Sequence, residues 1–221
     1  GPAGAAGWHD RHRLRRCGTA TGSSDGSGGL GAAIAQQFAI DGSDVAITYN
    51  SNEAAGQAVA QDIAAKGRKA SVHQLNAADL QGIERVIAHA IAQHGRIHTL
   101  VFAAAGVAHQ LHISEFSDEL WNEHINAEVT GFYKLCRGLI PHFKAQGSGS
   151  LVHMVSTSGL IGNMGQSNYS AAKLGIMSLS KSIALDMARF HVRSNCISPF
   201  AWSRMTSSVP DDTPEKAARN A

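Results

Sequence analysis

The sequence is short of several things, and each shortage closes off a class. There are only three cysteines, Cys17, Cys136 and Cys196, far apart and with no CxxC pair, so neither a disulfide framework nor a zinc finger is written here. The longest apolar run, Leu100 to Ala108, is less than half of the ~20 residues a membrane-crossing helix needs. Charge of one sign is scarce as well: 19 basic against 17 acidic residues leave +2, which gives no electrostatic reason to expect nucleic acid as a partner. The first residues have no apolar core of the kind a secretory signal carries. The twelve histidines are scattered and include no HExxH; His109 with His112 is the nearest to a ligand pair, and no metal site is expected.

What is present suits a packed domain. Hydrophobic residues make up 43% and charged residues 16% of 221, enough for a core and against disorder. Residues 1–25 stand apart as an atypical Gly/Arg-rich N-terminal segment, with Arg11 to Arg16 reading RHRLRR. A solvated tail is the expected state of such a stretch. The globular domain is expected over 26–221, in the cytoplasm.

From Gly29 the pattern is regular. Leu30 to Ile40 is spaced as a helix that stops at Asp41-Gly42. Val45 to Tyr49 reads as a strand, and Asn50-Ser51-Asn52 can cap a helix running to Lys66-Gly67. A strand over Lys69 to Leu75, a helix over Asp79 to His94 and a strand over His98 to Ala104 follow. One long helix is expected from Ser117 to Ala145, then a strand over Ser150 to Val155, a helix over Asn168 to Arg189 and a strand over Val192 to Ser198. This alternation predicts an α/β, Rossmann-like, doubly wound parallel sheet in three layers. Ligands of such sheets sit beyond the carboxyl ends of the strands.

Three motifs fall there. Tyr169-Ser-Ala-Ala-Lys173 puts a phenol and an ammonium on one helical face. A nearby cation favours the phenolate, which general acid–base chemistry requires of a group that ordinarily titrates near pH 10. Ser156, thirteen residues before Tyr169, follows a strand and can donate to a carbonyl oxygen; Ser158 is its competitor. Gly26-Ser-Gly-Gly29-Leu-Gly31 opens a helix, where glycines admit a pyrophosphate to unpaired N–H groups.

Together these residues resemble the short-chain dehydrogenase/reductase family, over about Gly26 to Thr206 and most nearly its 3-oxoacyl-[acyl-carrier-protein] reductase-like members. The resemblance implies hydride transfer between NAD(P)(H) and a carbonyl or secondary alcohol. It makes Tyr169 the proton donor or acceptor, Lys173 its partner and ribose contact, Ser156 the holder of the substrate oxygen, and Asn126 the family's catalytic asparagine. It assigns the cofactor to Gly26, Gly29, Leu30, Gly31, Tyr49, Asn50, Ser51, Asn76, Ala77, Ala104, Gly106, Tyr169, Lys173, Pro199 and Ser203. The end of the second strand, Thr48-Tyr49-Asn50-Ser51, has no acid to repel a 2′-phosphate, so NADP(H) is expected over NAD(H). A homodimer or homotetramer is the expected assembly, with a small carbonyl or alcohol as the substrate and neither nucleic acid nor membrane as a partner.

The chain also departs from the family's pattern. Arg11 to Ala20 is too basic for the buried centre of a parallel sheet, so the first strand is expected to be missing, with Thr21-Gly22 as a displaced remnant of the family's Thr-Gly pair. The family's NNAG reads Ala103-Ala-Ala-Gly106, Asp25 would stand near the pyrophosphate, and Ala221 precedes the expected final strand. These departures support one alternative, a catalytically silent nucleotide-binding or interaction protein on the same scaffold.

Overall fold

The structure, a computed structural model, describes residues 17–21 (backbone only), 29–76, 79–103 and 111–199. Six parallel strands form one sheet in the order β3-β2-β1-β4-β5-β6. They are β1 (Cys17–Thr21), β2 (Asp44–Tyr49), β3 (Ala70–Gln74), β4 (Thr99–Phe102), β5 (Gly149–Met154) and β6 (Val192–Ile197). The helices are α1 (Leu30–Ile40), α2 (Glu53–Ala65), α3 (Leu80–His94), α4 (Asp118–Ile125), α5 (Gly131–Gln146), α6 (Ser158–Ile161) and α7 (Ser167–Met187). The doubly wound sheet expected from the alternation is thus the observed fold, and the strand order reverses between β1 and β4, where such folds open a ligand crevice.

Helices cover both faces. On one, α3, α5 and α7 pack Ile83, Phe132, Leu135, Leu139, Ile176 and Ile183 onto β4 and β5. On the other, α1 and α2 enclose Ala35, Ala39, Val59 and Ile63 with Val45 and Ile47. Ala46 belongs to the first cluster while its neighbours Val45 and Ile47 belong to the second: successive strand residues point to opposite faces, and a strand covered twice needs an unbroken apolar run. The local stop signals hold too. Asn52 caps α2 by accepting the N–H of Ala55 at 3.1 Å, and α1, α3 and α5 give way to Gly42, Gly95 and Gly147 with positive φ.

Two expectations need correction. The first strand is present: Cys17–Thr21 pairs with β2 on one side and β4 on the other, Thr21 opposite both Thr48 and Phe102. It starts just after the basic cluster, and its residues, CGTAT, are small or β-branched; ladder hydrogen bonds come from the backbone and need no bulky apolar side chains. Thr21 of the Thr21-Gly22 pair accordingly ends this strand. Second, the single long helix expected from Ser117 is interrupted between α4 and α5 by a π-helical turn, Asn126–Thr130. Such a turn inserts extra chain and re-aims the side chains within it.

Among the described residues, no helix is long and apolar enough to cross a membrane.

Candidate functional site

The core of the site is built where α7 crosses the carboxyl end of β5. Tyr169 and Lys173, one helical turn apart, share a face as their spacing requires: the Lys173 Nζ stands 5.4 Å from the centroid of the Tyr169 ring. Tyr169 is half-buried, whereas Lys173 is buried. Its ammonium donates to the backbone carbonyl of Met154, the last residue of β5, at 3.4 Å. That contact ties the helix to the strand from whose end Ser156 emerges two residues later. The Ser156 Oγ accepts the N–H of Ser158 at 3.2 Å. Because the N–H takes only a lone pair, the hydroxyl keeps its own proton to donate.

The loop carrying Ser156 is pressed against α7 through Gly159. A Cβ there would stand 2.8 Å from the Leu174 nitrogen and 3.2 Å from the Lys173 Cβ, so only glycine permits this approach.

The lysine's strongest contact is one the sequence reading missed. Lys173 Nζ lies 2.7 Å from the Glu128 Oε2, with side-chain exposures of 3% and 0%. Glu128 sits in the π-helical turn. Asn126, expected in this neighbourhood from the family resemblance, is exposed, and its side-chain oxygen accepts the Thr130 hydroxyl at 3.2 Å. Two positions apart in this turn, the two side chains leave on opposite sides: the glutamate faces Lys173 of α7 and the asparagine faces solvent. A signal did exist: Glu128 interrupts the stripe Ile125, Phe132, Leu135 and Leu139, an apolar face on which a lone acid is out of place. His124, also buried, places its ring 5.9 Å from that of Tyr169.

Apart from Tyr169 and Lys173, the described residues expected to meet a dinucleotide stand at the start of α1 and after β2, β3 and β6. Gly29, with φ of 77°, opens α1 without a side-chain cap and with no acid in the first turn, and Leu30 and buried Gly31 follow. N–H groups left uncapped at a helix start, with no acid in the helix's own first turn, fit a pyrophosphate. At the end of β2, Asn50 and Ser51 are exposed and Tyr49 is buried. The Tyr49 phenol is pushed above its ordinary range by desolvation and then by the carboxylate of Glu53, to which it donates a hydrogen bond. Glu53, not singled out from the sequence, therefore brings an acid to a strand end that had read as neutral. Asn76 follows β3, where its carbonyl accepts the N–H of Asp79 at 2.9 Å. Pro199 is exposed beyond β6. Gly26, Ala77, Ala104, Gly106 and Ser203, together with Asp25 and His109, lie outside the described residues.

Of the aromatic residues on the long helical segment, Phe132 and Phe143 are fully buried, and Trp121 is half-buried. Cys136 is buried, and burial pushes its thiol far above the ordinary range, so it is inert packing.

The chain is similar to known proteins. A short-chain type dehydrogenase/reductase of Mycobacterium tuberculosis is 33% identical over 198 residues, covering 86% of this chain and 69% of its own length. The 3-oxoacyl-[acyl-carrier-protein] reductase of Staphylococcus aureus is 31% identical over 191 residues, covering 86% and 77%. The crystal structure of acetoin dehydrogenase from Enterobacter cloacae superposes with a TM-score of 0.80 at 24% identity, over 90% of this chain and 79% of that one, a likeness of fold. The short chain dehydrogenase profile matches residues 21–213. Taken with the sheet order and the Tyr169–Lys173 pair at its strand ends, that match makes the chain a member of the short-chain dehydrogenase family of NAD(P)-dependent oxidoreductases.

Proposed function

We propose that the chain reduces a ketone to a secondary alcohol, or runs the reverse reaction, with a 3-oxoacyl compound as the nearest substrate class and NADP(H) preferred to NAD(H). The observation that carries this reading is the Tyr169–Lys173 pair, an ammonium 5.4 Å from a phenol ring at the carboxyl end of β5. A bound nicotinamide supplies the hydride in reduction and accepts it in oxidation.

The chain's own residues do the rest. Tyr169 gives its hydroxyl proton to the carbonyl oxygen as the alkoxide develops, and takes the alcohol proton in reverse. Lys173, held by Met154 and Glu128, supplies the cation that favours the phenolate. Ser156 donates its remaining proton to the substrate oxygen and so fixes the carbon that receives hydride. By the family resemblance, Gly26, Gly29, Leu30 and Gly31 would hold the pyrophosphate, Tyr49, Asn50 and Ser51 the adenosine ribose, Asn76 and Ala77 the adenine, and Ala104, Gly106, Pro199 and Ser203 the nicotinamide half.

The substrate reading rests on similarity to the reductase of Staphylococcus aureus and on Leu160, Ile161 and Met164, which are 61%, 84% and 85% exposed just after Ser156. Apolar side chains there suit an acyl chain beside the reacting carbonyl. NADP(H) preference rests on Asn50 and Ser51, neutral and exposed at the end of β2, with the nearby Glu53 carboxylate engaged by the Tyr49 phenol. A homodimer or homotetramer is supported by Tyr133, Leu174 and Leu185 on the outer surfaces of α5 and α7, 46%, 48% and 80% exposed.

The test is fluorescence titration with NADPH and NADH, followed by reduction of 3-oxoacyl thioesters and simple ketones. Tighter NADPH binding and turnover that Tyr169→Phe abolishes, with nucleotide affinity retained, are expected. Tighter NADH binding would reverse the cofactor preference. Binding of neither nucleotide would favour the silent scaffold.

A further inference from the structure

The Lys173 cation does not face Tyr169 alone. Its ammonium is 2.7 Å from a carboxylate with no exposed surface and 5.4 Å from the Tyr169 ring centroid, so the carboxylate lies within about 8 Å of that ring. A buried acid survives beside a lysine only as part of a compensated pair. At that range, with the carboxylate and ammonium both buried, its charge is felt at the phenol.

We propose that Glu128 is a positioning residue that compensates the charge of Lys173 and thereby sets the pH range in which Tyr169 exchanges its proton. The proposal rests on the acid–base role given to Tyr169 above. Glu128 is buried within the π-helical turn while Asn126, two positions earlier in the same turn, stays in solvent.

The other titratable groups around the pair leave this effect readable. From α4 comes His124; an imidazole ordinarily changes charge near pH 6.5, well below the range of a phenol. From β5 comes His153, whose ring burial pushes down to about 3, so that it is neutral throughout. From α7 come Tyr169 and Lys173 themselves. On the flanks, Glu123 of α4 and Tyr133 and Arg137 of α5 are exposed, and Lys134 is half-buried.

The experiment needs neither nucleotide nor substrate. The chain has three tyrosines, Tyr49, Tyr133 and Tyr169, so tyrosinate formation in the full-length, nucleotide-free protein can be followed by ultraviolet difference absorbance. The step missing from Tyr169→Phe identifies Tyr169. In Glu128→Gln, and in Glu128→Asn as a second neutral variant, that step is expected to move down by about one pH unit. Glu128→Asp, which keeps the charge, should leave it within roughly 0.3 unit of the parent. Lys173→Met, which bares the carboxylate, should move it up.

A Tyr169 step that stays in place in either folded neutral variant would overturn the proposal. So would an unmoved step in Lys173→Met. If the shifts occur but Tyr169→Phe still turns over ketones, the electrostatic inference stands and the catalytic reading fails, so the two can be told apart.

Discussion

Gly159 and Leu174 meet backbone to backbone: a Cβ on the glycine would stand 2.8 Å from the Leu174 nitrogen, with the Lys173 carbonyl carbon at 3.1 Å. Neither backbone atom can swing aside as a side chain could, so the loop bearing Ser156 is docked onto the helical turn bearing Lys173 with no room to spare. Gly159→Ala should therefore push the loop from α7 and move Ser156 relative to Tyr169. Misplacement on the order of an ångström costs about tenfold to a hundredfold in turnover. Steady-state kinetics beside nucleotide titration will check it: kcat should fall by about tenfold or more, while NAD(P)H affinity, for which the proposed contacts lie mostly at α1 and after β2, changes much less.

Asn126→Ala should do little. The side chain is exposed and bonded to Thr130, and surface substitutions of this kind stay within roughly 0.5 kcal/mol, or about twofold in a rate or equilibrium. A hundredfold loss of kcat in this variant would return the asparagine to the proton pathway.

Acid should destabilise the fold through His153. Its imidazole packs 4.0 Å, centroid to centroid, from Phe132 and shares a hydrogen bond with Ser194 at 3.0 Å. Desolvation lowers it to about 3 in the folded chain, against about 6.5 when unfolded. The unfolded chain therefore binds the extra proton between those values. Above pH ~6.5 the two states bind equally and nothing is lost; as pH falls through ~6.5 toward ~3, stability declines. By pH ~5 the loss is about 2 kcal/mol. His73, His94 and His142 are lowered too, each first by desolvation, and act in the same direction. Urea denaturation at pH ~7 and ~5 will show the slope, and His153→Asn should flatten it by about 2 kcal/mol.

Phe132→Ala should be among the costliest single core changes. The ring is fully buried, 5.7 Å from Phe102 and packed on His153. A cavity of that size costs about 3–5 kcal/mol, readable as a lower urea midpoint at unchanged slope.

Most of the fold was legible because its elements announce themselves locally. Leu30 to Ile40 and Asp79 to His94 carry helical spacing between a start and a glycine stop, and Val45 to Tyr49 is an apolar, β-rich run. β1 was not legible because its hold on the sheet is in backbone ladders on both sides, and CGTAT has no apolar pattern to count. The Tyr169–Lys173 relationship could be read because it lies within one helical turn. Glu128 could not be read as easily: its partner is 45 positions away, so no local pattern joins the two, and an acid on an apolar stripe is the trace the sequence leaves.

The position of β1 has a consequence for how the chain comes together. It is the seam of the sheet, joining β3-β2 to β4-β5-β6, two halves with no other ladder between them. Its partners arrive well after it in the chain, β4 starting 78 positions beyond the end of β1, so on a ribosome this strand must wait unpaired on one side until more than a hundred residues have been made. Closing so distant a pairing late is slow by nature. Until it closes, both halves present a raw edge to any passing strand. Five small residues thus decide whether the newborn chain is one sheet or two fragments with a shared tendency to stick, and a synthetic peptide carrying them is a natural tool for sealing the gap in trans.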